Sequence, residues 1–453
     1  MKRKQQKHET GVTRRGFLKG TAVAAAPLVV PGSVLGLNGA VAPSERITMG
    51  FIGTGNQGTG DMRRFLQDDR VQVVAVCDVN TEGPGYWNGS VRGREPARKL
   101  VDTVNTRNNR GGKGCAAFVD FRELLARKDI DAVEVCTPDH WHGYQVVAAA
   151  RAGKDIYCQK PLSLTIAEGR IMSDAVKASK RVFQCGSQQR SDARFRLACE
   201  VARNGRLGKL QRVKVGLPPG RPDFGKTGGR KKTEPVPKGF DYNLWLGPAP
   251  MKPYAPARCH VNFRWIFDYS GGQVTDWGGH HPDIAQWGMG TELSGPVAIR
   301  NAKGKFPPDE LWDTATEFHF EAVYQDGRVM EVDSSFPRGV RFEGTEGWVY
   351  VNRGSLKASK ESIIKDPLTA KDKRLYASEN HFRNFIDCVK TRKECVAPCE
   401  QAHRSITVAH LGNIAMLLGA DLKWDPATER ILGNNAAQWM VNRPQRDPWR
   451  IPA

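Results

Sequence analysis

Little in this chain would hold it together except a packed core. Its 453 residues carry ten cysteines, strewn without the spacing of a disulfide framework. The one close pair, Cys395-Val-Ala-Pro-Cys399, lacks the second pair a zinc site needs and reads as a structural loop. Cys77, Cys136, Cys158 and Cys185 fall at or near the ends of apolar stretches, where cysteine acts as a small apolar side chain. No internal repeat recurs. Long hydrophobic runs are missing too: the stretch from Thr21 to Leu37 contains Pro27 and Pro31 and is too short and weak for a membrane span. Acidic residues are outnumbered, 48 against 68 Lys and Arg, giving a formal charge of +20. The first 42 residues hold seven basic residues against Glu9 alone, which leaves about +14 for the rest. That surplus is scattered, with one cluster at 226–232. There is no basic helix and no aromatic-basic interleave, so nucleic acid is not expected as a partner and the charge reads as solvated surface.

What the start of the chain does have is an address. Thr13-Arg14-Arg15-Gly16-Phe17-Leu18-Lys19, after a basic start and before a mildly apolar, small-residue run, reads as a twin-arginine export signal. Residues 1–45 are therefore assigned to signal and linker, with the twin-arginine translocase as partner and a periplasmic or otherwise exported location. Ala40-Val41-Ala42 fits a small-x-small cleavage site, although Pro43 follows directly. This route moves folded proteins and suits enzymes that acquire a cofactor before export.

The most informative stretch is an apolar strand, residues 47–52, running into Gly53-Thr-Gly55-Asn56-Gln57-Gly58, with a second strand, 71–77, ending in Asp78. Each part has a mechanical job in holding a dinucleotide. Gly53 allows the tight turn, Gly55 leaves room for a pyrophosphate, and Gly58 lets the next helix pack against the sheet. That helix would turn its N-terminus and unpaired N–H groups, with Asn56 and Gln57 in its first turn, toward the phosphates. Asp78 is placed to accept hydrogen bonds from the adenosine ribose and would repel a 2′-phosphate, which favours NAD over NADP. Outside the cytoplasm there is no soluble pool to draw on, so the cofactor is expected to be tightly bound.

The fold class expected is α/β: an N-terminal Rossmann dinucleotide-binding domain (46–163), then a C-terminal α/β domain with an open, mostly antiparallel sheet (164–425), and a C-terminal extension (426–453). Strands and helices alternate up to about Leu162, with a polar insertion at 81–114 holding one helix. Helices are expected at 118–127 and 144–152, and strands at 132–136 and 155–158. The loop Thr137-Pro138-Asp139-His140-Trp141-His142 and the residues after Cys158 face the nicotinamide side. Strand-like alternations then recur at 211–215, 318–323, 329–334 and 348–351. Residues 216–264 form a long Pro/Gly/Arg-rich excursion.

Three segments resemble the glucose–fructose oxidoreductase/inositol dehydrogenase (Gfo/Idh/MocA) family. They are the Gly53-x-Gly55-x-x-Gly58 turn, Cys158-Gln159-Lys160-Pro161-Leu162, similar to the family's Glu-Lys-Pro loop, and the stretch from Gly271 through Asp276, Gly278 and His280 to Asp283. The resemblance covers nearly all of residues 47–425. It implies redox chemistry on sugars, cyclitols or related polyols, a second domain whose sheet covers the site, and frequent homo-oligomers. Gln159 departs from the family's acid, keeping hydrogen-bonding reach but removing a charge beside Lys160.

The residue types fit that chemistry. Oxidising an alcohol needs a base for the hydroxyl proton, and His280 suits it. Asp276, one helical turn earlier, would share its face if that stretch is helical and orient the imidazole. Lys160 would polarise the developing carbonyl oxygen. Alone, each reads as a core histidine or a surface lysine; the motif context makes them candidates. Thr137, Pro138, His142 and Gln159 join the cofactor-binding set. His140, Gln188, Arg190, Arg264, Trp265, Tyr269 and His281 are candidates for substrate binding, and Trp141 for a wall under the nicotinamide. His140, His142, His280 and His281 lack diagnostic metal spacing, and no metal is expected. Three functions follow: an exported NAD-dependent oxidoreductase acting on a sugar or cyclitol hydroxyl, an NAD-dependent glycosidase working through transient oxidation and elimination, or a carbohydrate-binding protein that keeps NAD as structure.

Overall fold

The fold is that of a Rossmann-like parallel sheet followed by a mostly antiparallel one. The computed structural model describes residues 41–108, 110, 114–308 and 311–451; the twin-arginine run lies outside the described residues. Ahead of Ile47, Pro43–Glu45 form a 3₁₀ turn and Arg46 donates to the Val41 carbonyl at 3.1 Å. From Ile47 on, the chain forms one compact unit.

Six strands build the first sheet: β1 (Ile47–Ile52), β2 (Val71–Cys77), β3 (Ala116–Phe118), β4 (Ala132–Val135), β5 (Asp155–Cys158) and β6 (Phe183–Cys185). Their order is β3-β2-β1-β4-β5-β6 and every pairing is parallel. β4, β5 and β6 are buried along their whole length, as in a parallel sheet covered on both faces, and this takes in the polar Glu134, Asp155 and Gln184. The order reverses beside β1, so the crevice outside β1 and β4 is where a ligand would lie. β6 extends this sheet past residue 163 to Cys185.

Nine strands form the second sheet: β7 (Leu210–Gly216), β8 (Ala298–Lys305), β9 (Glu317–Val323), β10 (Val329–Asp333), β11 (Gly339–Gly344), β12 (Trp348–Asn352), β13 (Ser355–Ala358), β14 (Leu422–Asp425) and β15 (Arg430–Leu432). Their order is β13-β12-β11-β7-β10-β9-β8-β14-β15, antiparallel except for β7 with β10. Burial alternates with period two, as in Phe318, Phe320 and Ala322 on β9 and Met330 and Val332 on β10. The buried face packs against the helices Ala193–Arg203, His281–Met289 and Cys399–Leu418.

Three local expectations are corrected. The helix expected from Tyr144 begins at Asp139, because Pro138 at its N-cap fixes the entry and Asp139 suits its first turn. Asp139, His140 and His142 thus sit on a helix, not a loop. Asp276 and His280 do not share one helix: Gly272–Asp276 ends at Trp277, and His280 is the N-cap of His281–Met289. Strands β8, β11 and β13–β15 were not legible; β8 reads Ala-Ile-Arg-Asn-Ala-Lys-Gly-Lys and is mostly exposed, so no apolar alternation marks it.

Candidate active site

The ends of β1, β4, β5 and β6 open into a cleft of about 520 Å³. It is lined from the first sheet by Gly53, Gly55, Asn56, Gln57, Asp78, Thr137, Pro138, Gln159, Lys160 and Gln188. Asp276, His280, Arg264 and Arg353 close it at the other end.

The glycine turn is built as its sequence implies. Gly53 has φ +89°, and a Cβ there would lie 2.5 Å from the Cys136 carbonyl oxygen. A Cβ on Gly58 would lie 2.1 Å from the Gly53 oxygen, so only glycine lets the helix pack this close. Gly58 therefore shapes the turn without lining the cleft. Gly55 caps the helix Asn56–Phe65 with no side-chain hydrogen bond and no acid in the first turn. Its first N–H groups are left for an anion. Asp78 accepts at Oδ2 from the Thr54 N–H and hydroxyl, at 2.8 and 3.1 Å, and at Oδ1 from the Asn80 N–H at 2.9 Å. These features fit a nicotinamide dinucleotide with its pyrophosphate at the helix end.

At the opposite end, Lys160 Nζ donates to Asp276 Oδ1 at 2.8 Å and to the Asp276 carbonyl at 3.2 Å. Arg264 Nε reaches the same carboxylate oxygen at 3.3 Å. Burial would raise the Asp276 carboxyl, but the two cations outweigh it and hold it well below the usual carboxylate range. Burial, helped by the charges of Lys160 and Arg353, pushes the His280 imidazole well below 6.5, which favours the neutral ring. Gly279 permits this assembly: a Cβ there would come within 2.9 Å of the Lys160 Cβ.

The remaining candidates separate by position. His142 braces two cofactor loops, its ring lying 2.8 Å from the Pro161 carbonyl and 2.9 Å from that of Thr137, with the neutral ring donating to one of them at a time. His140 reaches the Trp245 carbonyl at 3.0 Å, and His281 that of Gly216 at 2.9 Å. Arg190 is buried in a two-bond pair with Asp283, both contacts at 2.7 Å. Trp265 and Tyr269 pack in an aromatic core behind the cleft. None of these six lines the cleft, and the four candidate histidines do not converge on one point. Gln188, Arg264 and the wall residue Trp141 do line it.

Sequence reasoning missed several neighbours. Tyr86 and Trp87 from the 81–114 insertion, and Phe240, Trp245, His260 and Phe263 from the long excursion, complete the walls. Only their aromatic character inside polar loops could have flagged them. Asp139 lines the cleft, accepts from the Ser270 hydroxyl at 2.5 Å, and is pushed by burial up to about 7. Beneath Gln159 lies an acid pair. The Gln159 amide donates to Asp61 Oδ2, and Gln57 donates to Oδ1 at 2.8 Å. Burial raises Asp61 to about 6, while burial and then the Asp61 charge push the Glu134 carboxyl well above its ordinary value.

The fold and the cleft define a two-sheet protein built on a nucleotide-binding Rossmann sheet. Residues 202–451 match the family model described as "Oxidoreductase family, C-terminal alpha/beta domain", and residues 89–187 match "Oxidoreductase family, NAD-binding Rossmann fold". The chain belongs to this family, Gfo/Idh/MocA. It is 32% identical over 166 residues to an inositol 2-dehydrogenase of Pseudomonas savastanoi pv. phaseolicola, covering 36% of this chain and 43% of that protein. It is 25% identical over 215 residues to an α-N-acetylgalactosaminidase of Shewanella oneidensis, covering 44% of each. These matches span less than half the length of either relative. Among solved structures, the WlbA dehydrogenase of Bordetella pertussis, in complex with NADH and UDP-GlcNAcA, superposes with a TM-score of 0.59 at 17% identity, covering 84% of this chain and 99% of that one. At that identity the likeness speaks for the fold.

Proposed function

We propose that this protein is an exported NAD-dependent oxidoreductase acting on a secondary hydroxyl of a sugar, sugar derivative or cyclitol. The observation that carries the reading is the convergence of Lys160, Asp276 and neutral His280 at the far end of a cleft that begins at the glycine turn. A bound nicotinamide would accept the hydride. His280 takes the hydroxyl proton, and Lys160, held by Asp276, faces the oxygen on which charge develops. Asp78 beside the glycine turn favours NAD over NADP, and the aromatic walls from both loops support tight retention. Twin-arginine export follows from residues 13–19: changing Arg14 and Arg15 to Lys should leave the protein in the cytoplasmic fraction. The open face of the second sheet suits a homo-oligomer, which light scattering on the purified chain would measure.

The test is a screen of the protein as purified, with sugars and cyclitols and no added nucleotide, following nicotinamide absorbance. Reduction by a member of the panel supports the reading; no response from loaded protein to any of them contradicts it. A second reading, a glycosidase that returns the hydride after elimination, is favoured by the name of the Shewanella relative. It would release sugar from a glycoside with no net change in nicotinamide redox state.

A further inference from the structure

We propose that the sugar taken by this cleft carries an anionic group, a carboxylate or a sulfate, held by Arg353 and Arg338 beside Trp277. The inference rests on the sugar-oxidoreductase reading of the site and names its substrate class. Arg353 stands on the turn between β12 and β13 and lines the cleft with Trp277 and His280. Its guanidinium lies 4.9 Å from the centre of the Trp277 ring, and that of Arg338, just before β11, lies 5.0 Å from the same centre. β11 and β12 pair with Val340 opposite Val351, and continuing that register by two residues sets Arg338 opposite Arg353. Two like charges across a strand pair repel. The repulsion is felt: burial first, and then the Arg338 charge, lower the Arg353 guanidinium from its ordinary value.

Both arginine side chains are exposed, Arg353 in the cleft lining and Arg338 just outside it, and among the described residues no carboxylate and no hydrogen-bond acceptor meets either guanidinium. Asp276, the acid nearest Arg353 in effect, is already shared by Lys160 at 2.8 Å and Arg264 at 3.3 Å. Asp276 and Asp139 are the carboxyls set against Lys160, Arg264 and Arg353 at this end, and burial pushes Asp139 up to about 7. The cofactor's phosphates do not supply the balance, since they belong at the helix Asn56–Phe65 on the other side. A pair of guanidiniums beside one aromatic ring suits an oxyanion carried by a sugar.

The experiment is isothermal titration of the full-length, NAD-loaded protein with matched series in the glucose, galactose and mannose configurations: hexuronate, hexose 6-sulfate and neutral hexose. The expected result is that an acidic member binds at least about tenfold tighter than its neutral parent. The carboxylate and sulfate arms distinguish the two anions. That preference should weaken with added salt and vanish in the Arg338→Gln/Arg353→Gln double variant, with NAD content unchanged. Arg353→Lys, which keeps the charge, should retain part of it; should the double variant misfold, Arg353→Gln alone is read the same way. Equal or tighter binding of neutral sugars, or an acid preference that survives Arg353→Gln, overturns the inference and leaves the oxidoreductase reading standing if neutral sugars are oxidised. Binding of no acidic member overturns the inference too, and absence of any turnover in the wider screen would then count against both.

Discussion

At the scale of the residue, the proposed chemistry divides one proton and one charge between His280 and Lys160. His280 is neutral because it is buried beside cations, and Lys160 is fixed because Asp276 holds it from two oxygens. Lys160→Ala and His280→Ala should each keep NAD bound while lowering kcat by about 10²–10⁴, the range for a general acid–base or charge-stabilising group; a variant near the wild-type rate removes that residue from the mechanism. The pH dependence follows from the sign of the shift. A base whose pKa is lowered stays unprotonated below 6.5, so kcat/KM should hold through that pH and fall only at lower values. An acid limb near 7 would assign the base to Asp139 instead, the cleft carboxyl pushed up to about that value. Gln159 also finds a physical reason. Its amide donates to Asp61 of a buried acid pair with Glu134, so a glutamate at 159 would put a third carboxyl there. Gln159→Glu should cost about 1–3 kcal/mol and lower the melting temperature. Recovery in the Gln159→Glu/Glu134→Gln double variant checks the cause, and an unchanged melting temperature contradicts it.

The elements decide where those residues meet. Gly279 lies between two helices and lets the Lys160 side chain pass within contact of its backbone. Gly279→Ala should displace Lys160 and lower kcat by about tenfold or more with the cofactor retained, since small misplacements near the reacting atoms are costly. Steady-state kinetics and NAD content together check it. Gly55→Val should do the reverse and prevent NAD capture, because the side chain would meet Tyr86 and fill the approach to the helix. Much of this was legible in sequence: the turn, the parallel strands and the lysine loop lie on contiguous segments whose spacing is set by one strand–helix junction each. The relation of Asp276 to His280 was not, because Gly278 and Gly279 break the helix and long-range packing, not periodicity, brings the two together. Arg353 was invisible for the same reason. It reaches the cleft from a turn in the second sheet, some 190 residues after Lys160, and nothing local marks it.

Over the whole molecule, the parallel sheet supplies one end of the cleft and residues beyond Arg203 the other. The division between the two family matches follows that arrangement. The C-terminal tail belongs to the same construction: Trp449 packs edge-on against Trp141, a cleft wall, with ring centres 5.0 Å apart. Candidates such as Arg190, Trp265, Tyr269 and His281 have the residue types of a sugar pocket, yet they serve the packing that holds it. Sequence distance gave no sign of this, since each lies within a few residues of a true cleft residue. The measurement that tests the account most directly is the identity of the bound cofactor. The full chain is purified without added nucleotide and denatured, and the released compound is identified by absorbance and mass. The account predicts NAD(H) in about one-to-one ratio with protein. An empty protein that also fails to bind added NAD or NADP would contradict it.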